Sequence, residues 1–297
     1  MLIGHDKILE KLKSDVENGS LHHAHLFIGP EHVGKTKLAL TLTVHMQGAE
    51  GNVIAKKQIL EGADADTIFL LDEGVTGKAS EPLPIKSIRE IVARTGQTHN
   101  KAHLVFVIEN IGRMRPEAMN ALLKTLEEPP EGVVFFLTAN SDEVVLPTIR
   151  SRCNVTNFHT VSDAIMRGAC QENVNEEQLI MFAMGRPGKL RRLMDEADYF
   201  AAHQELNHDL TQCLEDPTTH RAFNLVRKYE KHALRAEMLD IFLHRIRTFA
   251  LAQKSPLVLQ HLDFTALMDK IEQAKRELTA NVNARLLLED LFLALVN

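Results

Sequence analysis

Apolar residues over the first 160 positions follow two alternating rhythms. Ile8, Leu9, Leu12 and Val16 are spaced for one face of a helix, whereas Leu26-Phe27-Ile28 runs apolar without a break, as a short buried strand does. The same criteria predict a helix over 37–46, a strand over Thr67–Leu71, and a helix marked by Ile85, Ile88, Ile91 and Val92. His103–Ile108 is nearly all apolar, the pattern of a parallel-sheet strand covered on both faces. A helix over Pro116–Glu128 has proline in its first turn, and Pro129-Pro130 stop it. Val133–Leu137 is another buried strand, and Val155–Phe158 a last one. Strands alternating with helices predict an α/β domain, a parallel sheet between helices.

Beyond residue 160 the strand pattern nearly vanishes. Short helices are expected over 162–170 and 176–184, then a break at Gly185-Arg186-Pro187-Gly188, then a helix over 189–197. From about residue 206 the pattern is helical throughout, including 236–251 and a last helix rich in leucine from Leu286 to Leu295. The expected organisation is therefore an α/β domain over 1–160, a small helical domain over 161–205 and a larger helical domain over 206–297. A chain of 297 residues exceeds a single ordinary core, which agrees with such a division.

Composition narrows the function classes. A net charge of −6 argues against a surface that grips nucleic acid everywhere, although a local basic patch remains compatible with it. The three cysteines, Cys153, Cys170 and Cys213, are far apart and form no CxxC pair, so neither a zinc site nor a disulfide framework follows. The 15 histidines are scattered and read as surface or core residues. No leader opens the chain and no apolar run approaches the ~20 residues of a membrane span. The expectation is a cytoplasmic protein with no membrane partner.

Gly29-Pro30-Glu31-His32-Val33-Gly34-Lys35-Thr36 matches GxxxxGK[ST] between a predicted strand and a predicted helix. Such a turn aims backbone N–H groups and a helix N-terminus at phosphate oxygens. Gly29 and Gly34 shape the loop, Lys35 would meet the β- and γ-phosphates, and Thr36 would ligate Mg²⁺. A glycine loop without a ligand is the other reading of these residues. The strand 103–108 ends in Glu109-Asn110. P-loop ATPases hold their metal through an acidic residue at the end of such a strand, and hydrolytic ones add a base that activates water. Glu109 stands at the metal-side position and Asn110 where the base belongs. An asparagine amide accepts no proton at neutral pH, so strong hydrolysis is not expected. Alternatively, Glu109 and Asn110 cap and form the next turn.

Three ordered segments resemble the AAA+ clamp-loader subunits of bacterial DNA polymerase III: His23–Pro30, Ala118–Pro130 and the Ser-Arg-Cys run within Leu146–Cys153. They cover residues ~20–160; the helical remainder is similar to the family's lid and collar more weakly. Within the family the chain looks most like the delta-prime subunits. The motor subunits, gamma/tau, carry an Asp-Glu pair where this chain has Glu109-Asn110, and Glu81–Arg89 also resembles delta-prime chains. Two departures stand out. Residues 47–66 hold no cysteine where many members carry a zinc module, so the expectation is no zinc. The phosphate loop is intact, whereas some delta-prime subunits have degraded it, which leaves room for bound ATP with Mg²⁺.

The resemblance implies a hetero-pentamer with gamma/tau and delta subunits, acting on a sliding clamp and on primer-template DNA. It implies that Arg152 reaches across a subunit seam as an arginine finger, while the chain acts as a non-hydrolysing stator. A surface ion pair is the other reading of Arg152, and an ATP-hydrolysing gamma/tau-like motor the other reading of the chain. Asn140 falls at the family's γ-phosphate-sensing position. Lys189, Arg191 and Arg192 open a helix, as second-sensor candidates or as a solvated face. Lys86, Arg89, Arg94, Lys101 and Arg115 are candidates for DNA phosphates.

Overall fold

The computed structural model describes residues 2–70, 83–170, 174–252, 263–279 and 283–296. Leu71 of the second expected strand, and Glu81 and Pro82 of the delta-prime-like segment, lie outside the described residues. The chain divides into two compact units, Met1–Arg191 and Arg192–Asn297.

In the first unit the expected alternation is realised as α1 (Asp6–Glu17), β1 (Ala24–Ile28), α2 (Lys35–Met46), α3 (Val53–Leu60), β2 (Thr67–Leu70), α4 (Ile85–Thr95), β3 (Leu104–Ile108), α5 (Pro116–Glu127), β4 (Val133–Ala139), α6 (Pro147–Arg150), β5 (Asn154–Asn157), α7 (Asp163–Cys170), α8 (Glu176–Ala183) and the start of α9 (Pro187–Asp195). The strands form one sheet in the order β2-β3-β4-β1-β5, with every pairing parallel. β1, β3 and β4 are buried along their whole length, which explains their unbroken apolar runs. Successive side chains go to opposite faces. Leu26, Phe106, Phe135 and Leu137 pack with Ile88, Leu122 and Leu126 on one side. Phe27, Val105, Val107 and Phe136 pack with Leu12, Leu38 and Leu42 on the other.

Two local features differ from the sequence expectation. The segment standing where a zinc module would be contains α3, an eight-residue helix. Its N-terminus is set by Asn52, whose side chain accepts from the backbone N–H groups of Ile54 and Ala55 at 3.1 Å each. Only Ile59 of α3 is buried, so no amphipathic period marked it. The expected break at 185–188 is shorter than four residues. Met184 and Gly185 turn left-handed, with φ of 49° and 70°, and Pro187 already begins α9, where its missing N–H costs nothing.

The second unit is helical: the end of α9, α10 (Ala197–Glu215), α11 (Thr219–Tyr229), α12 (Arg235–Ala252), α13 (Phe264–Thr279) and α14 (Ala284–Leu293). Phe242 and Phe292 stack at 5.1 Å in its core, beside buried Leu239, Ile246, Leu288 and Leu291. Buried His203 bonds the Tyr199 carbonyl and the Glu237 carboxylate, both at 2.8 Å. No helix among the described residues is long and apolar enough to cross a membrane.

Candidate functional site

A parallel sheet delivers every strand's C-terminal end to one edge, the edge where open α/β sheets bind ligands. β1 ends there in the loop Gly29–Gly34. Gly29 donates its N–H to the Ala139 carbonyl at 3.1 Å. A Cβ on Gly29 would stand 2.3 Å from the Phe158 carbonyl oxygen, so only glycine fits. Gly34 has φ 105° and caps α2, a conformation L side chains resist. The loop therefore closes directly onto the N-terminus of α2, where unpaired N–H groups concentrate positive potential.

Lys35, the first residue of α2, is buried. Its ammonium donates to the Gly29 and Pro30 carbonyls at 2.6 and 2.7 Å, and lies 3.4 Å from Asn140 Oδ1. Burial pushes the Lys35 pKa down to about 8, against the opposing pull of the Glu31 and Glu109 carboxylates. Thr36 donates its hydroxyl to Glu109 Oε1 at 2.6 Å. Glu109 follows β3, and its N–H donates to the Leu70 carbonyl at 2.9 Å. Asn140 follows β4 and donates its amide to Glu31 Oε1 at 2.6 Å. The structure thus brings together Gly29, Gly34, Lys35, Thr36, Glu109 and Asn140.

These residues suit a magnesium nucleotide. The Thr36 hydroxyl and Glu109 carboxylate are adjacent oxygen donors, the hard-ligand chemistry Mg²⁺ takes alongside phosphate oxygens and water. Thr36 and Glu109 would hold the ion, which would neutralise phosphate charge. Among the described residues no group of three or more His, Cys, Asp or Glu gathers as a protein-only metal site.

Asn110 adopts a left-handed conformation, φ 51° and ψ 61°, which asparagine tolerates better than most residues. Its N–H donates to Thr138 Oγ1 at 2.9 Å, which ties the end of β3 to β4. The turn-forming part of the sequence expectation is thus directly visible, and position 110 bears no carboxylate.

Arg152 lies at the other edge of the sheet. Asn154 pairs with His25 near the start of β1, and Arg152 precedes it by two residues. The four residues of β5 alone span ~13 Å, so the guanidinium stands far from its own chain's phosphate loop. Arg152 Nη1 donates to the Thr148 carbonyl at 2.9 Å and lies 3.3 Å from Ser151 Oγ, and Nη2 donates to Glu127 Oε1 at 3.1 Å. The side chain is 29% exposed. The adjoining groove is lined by the rings of His22 and His23, tilted against each other with centroids 4.2 Å apart, and by Cys153.

The basic candidates separate. Arg94 reaches buried Asp66 at 3.5 Å, and Lys101 pairs with Asp64. Lys86 and Arg115 instead line one groove, between the starts of α4 and α5. Among the described residues, neither helix N-terminus there has a side-chain cap. Lys189 is buried, while Arg191 and Arg192 are exposed. Gly188, just before Lys189, donates its N–H to the His32 carbonyl at 2.7 Å, so the start of α9 touches the phosphate loop. Sequence reasoning missed two acidic participants, Glu31 and Glu127. Glu31 sits at a variable position of the loop motif, and Glu127 is 25 residues from Arg152, so no local signal paired either with its partner.

Fold and site together define an α/β protein with a GxxxxGK[ST] loop at the C-terminal edge of a parallel sheet. The family model described as DNA polymerase III, delta subunit, matches residues 4–162, and the chain belongs to this family. DNA polymerase III subunit tau of Salmonella typhimurium is 26% identical over 95% of this chain and 47% of its own length. Subunit gamma of Buchnera aphidicola is 27% identical over 76% of this chain and 65% of its own length. The chain thus spans about half to two thirds of these relatives. A DNA polymerase III gamma subunit-related protein of Thermotoga maritima has a similar fold, with TM-score 0.51, 18% identity, and coverage of 96% of this chain and 97% of that one.

Proposed function

We propose that this chain is a delta-prime-type subunit of a sliding-clamp loader, a non-hydrolysing stator that lends Arg152 to the nucleotide site of a neighbouring subunit. The observation that carries the proposal is the separation of the two functional edges. The phosphate loop lies at the C-terminal edge of the sheet and Arg152 at the N-terminal edge. A guanidinium there lies away from its own site, and serving another subunit's site means exchanging its bond to Glu127 for a phosphate. Planar and permanently charged, it suits a γ-phosphate on which charge builds during transfer.

Its own site binds Mg·ATP through the Gly29–Gly34 loop, Lys35, Thr36 and Glu109, with Asn140 sensing the γ-phosphate. It does not hydrolyse the bound nucleotide because Asn110 supplies no base. Residues 161–205 act as the AAA+ lid and 206–297 as the collar that joins gamma/tau and delta subunits. Lys86 and Arg115, with the uncapped N-termini of α4 and α5, meet DNA phosphates without reading bases. The intact phosphate loop favours a second reading, an ATP-hydrolysing motor subunit. Steady-state ATP hydrolysis by the isolated chain, beside a binding measurement, separates the two. Binding without turnover supports the stator; turnover abolished by Lys35→Ala replaces it with the motor.

A further inference from the structure

Glu31 is an acidic side chain in the middle of a loop built to attract anions. Pro30 and Val33 help form the loop, and Gly29 and Gly34 give it its turns, but the fold requires no carboxylate at exposed position 31. Glu31 nevertheless has a defined partner. Its Oε1 accepts the Asn140 amide at 2.6 Å, and Asn140 Oδ1 in turn lies 3.4 Å from the Lys35 ammonium. Lys35 also serves the Gly29 and Pro30 carbonyls. Glu31, Asn140 and Lys35 therefore form one chain of contacts across the mouth of the loop, closed by a negative charge.

Two physical effects follow. A carboxylate in the cradle repels the phosphates of any nucleotide, by an amount that depends on the local dielectric and falls with salt. A triphosphate that uses the Asn140 amide must also break its bond to Glu31. A diphosphate, with no terminal phosphate to meet that amide, bears only the first cost.

We propose that Glu31 is a self-inhibitory element of the phosphate loop, which occupies Asn140 and lowers the affinity of the site for nucleotides, triphosphates most of all. This inference rests on the reading of the loop as a nucleotide site. It gives the stator a site that stays weakly loaded unless other interactions pull Glu31 away from Asn140.

The test is calorimetric titration of the full chain with Mg·ATP and with Mg·ADP, in the wild type and in the Glu31→Gln, Glu31→Ala and Lys35→Ala variants. Glu31→Gln removes the charge and keeps an acceptor for Asn140. It is expected to tighten both nucleotides roughly three- to tenfold, with the gain shrinking as salt is raised. Glu31→Ala also removes the acceptor and is expected to tighten Mg·ATP further than Mg·ADP. Lys35-dependent binding that neither Glu31 variant tightens would overturn the role of Glu31 and leave the nucleotide reading standing. No Lys35-dependent binding in any variant would overturn both.

Discussion

Arg152 and Glu127 are joined across the N-terminal edge of the sheet, guanidinium Nη2 to carboxylate Oε1, at 3.1 Å. Glu127 is the last residue of α5 and Arg152 follows α6, so two elements fix one guanidinium. Thr148 holds its other arm at 2.9 Å. Both terminal nitrogens of Arg152 are thus engaged within the chain, and the proposed finger role requires the Glu127 bond to be given up.

Arg152→Ala should therefore leave the chain folded, because a partly exposed ion pair contributes only about 0.2–1 kcal/mol. The melting temperature should drop by only a few degrees at most. On the proposed stator reading, the same variant placed in a clamp-loader complex should lower a neighbour's ATPase by about 10³-fold or more and slow clamp loading. A variant complex that loads clamps at normal speed would count against the trans-acting role.

Asn110→Glu places a carboxylate where a base belongs, at a position whose backbone is left-handed. Glutamate resists that conformation more than asparagine does, by about 1–2 kcal/mol. The variant should melt a few degrees lower and still acquire measurable ATP turnover in the assembled complex. Turnover that stays absent while nucleotide is bound would show that something besides the base is missing.

The Lys35 ammonium, lowered to about 8, carries a pH signature. Phosphate needs the protonated form, so Mg·ADP affinity should stay level below pH 8 and decline above it. Lys35→Arg keeps its charge at these pH values and should flatten the profile, whatever its absolute affinity. An affinity that stays level in the wild type up to pH 10 would remove Lys35 ionisation from the account.

His25 is fully buried and stacks 5.5 Å from Phe136. Burial, aided by the charge of His22, lowers its pKa from 6.5 to about 4. Between those values the unfolded chain holds a proton that the folded chain does not. The contribution of His25 to stability is thus fully present above pH 6.5 and is lost as pH falls toward 4, by up to about 1.4 kcal/mol per pH unit. His25→Phe should remove this component, so wild type and variant should diverge in denaturant melts between pH 6.5 and 5. Parallel curves would disprove it.

Much of this protein could be read from residue order alone. The apolar runs of β1, β3 and β4 marked the sheet, because strands buried on both faces need no polar alternation. Gly29, Gly34, Lys35 and Thr36 were legible because a phosphate loop is local: its glycines, lysine and hydroxyl fall within eight consecutive residues. Other features were settled only by folding. Parallel strand order brought Glu109 and Asn140 to the loop, set Glu31 against Asn140, and sent Arg152 to the opposite edge beside Glu127. α3 was invisible because one buried residue makes no period, and the left-handed backbone of Asn110 because a dihedral angle leaves no pattern in composition. Short-range chemistry is written along the chain, whereas partners separated by 25 to 109 residues meet only when hydrophobic burial fixes which strand lies beside which.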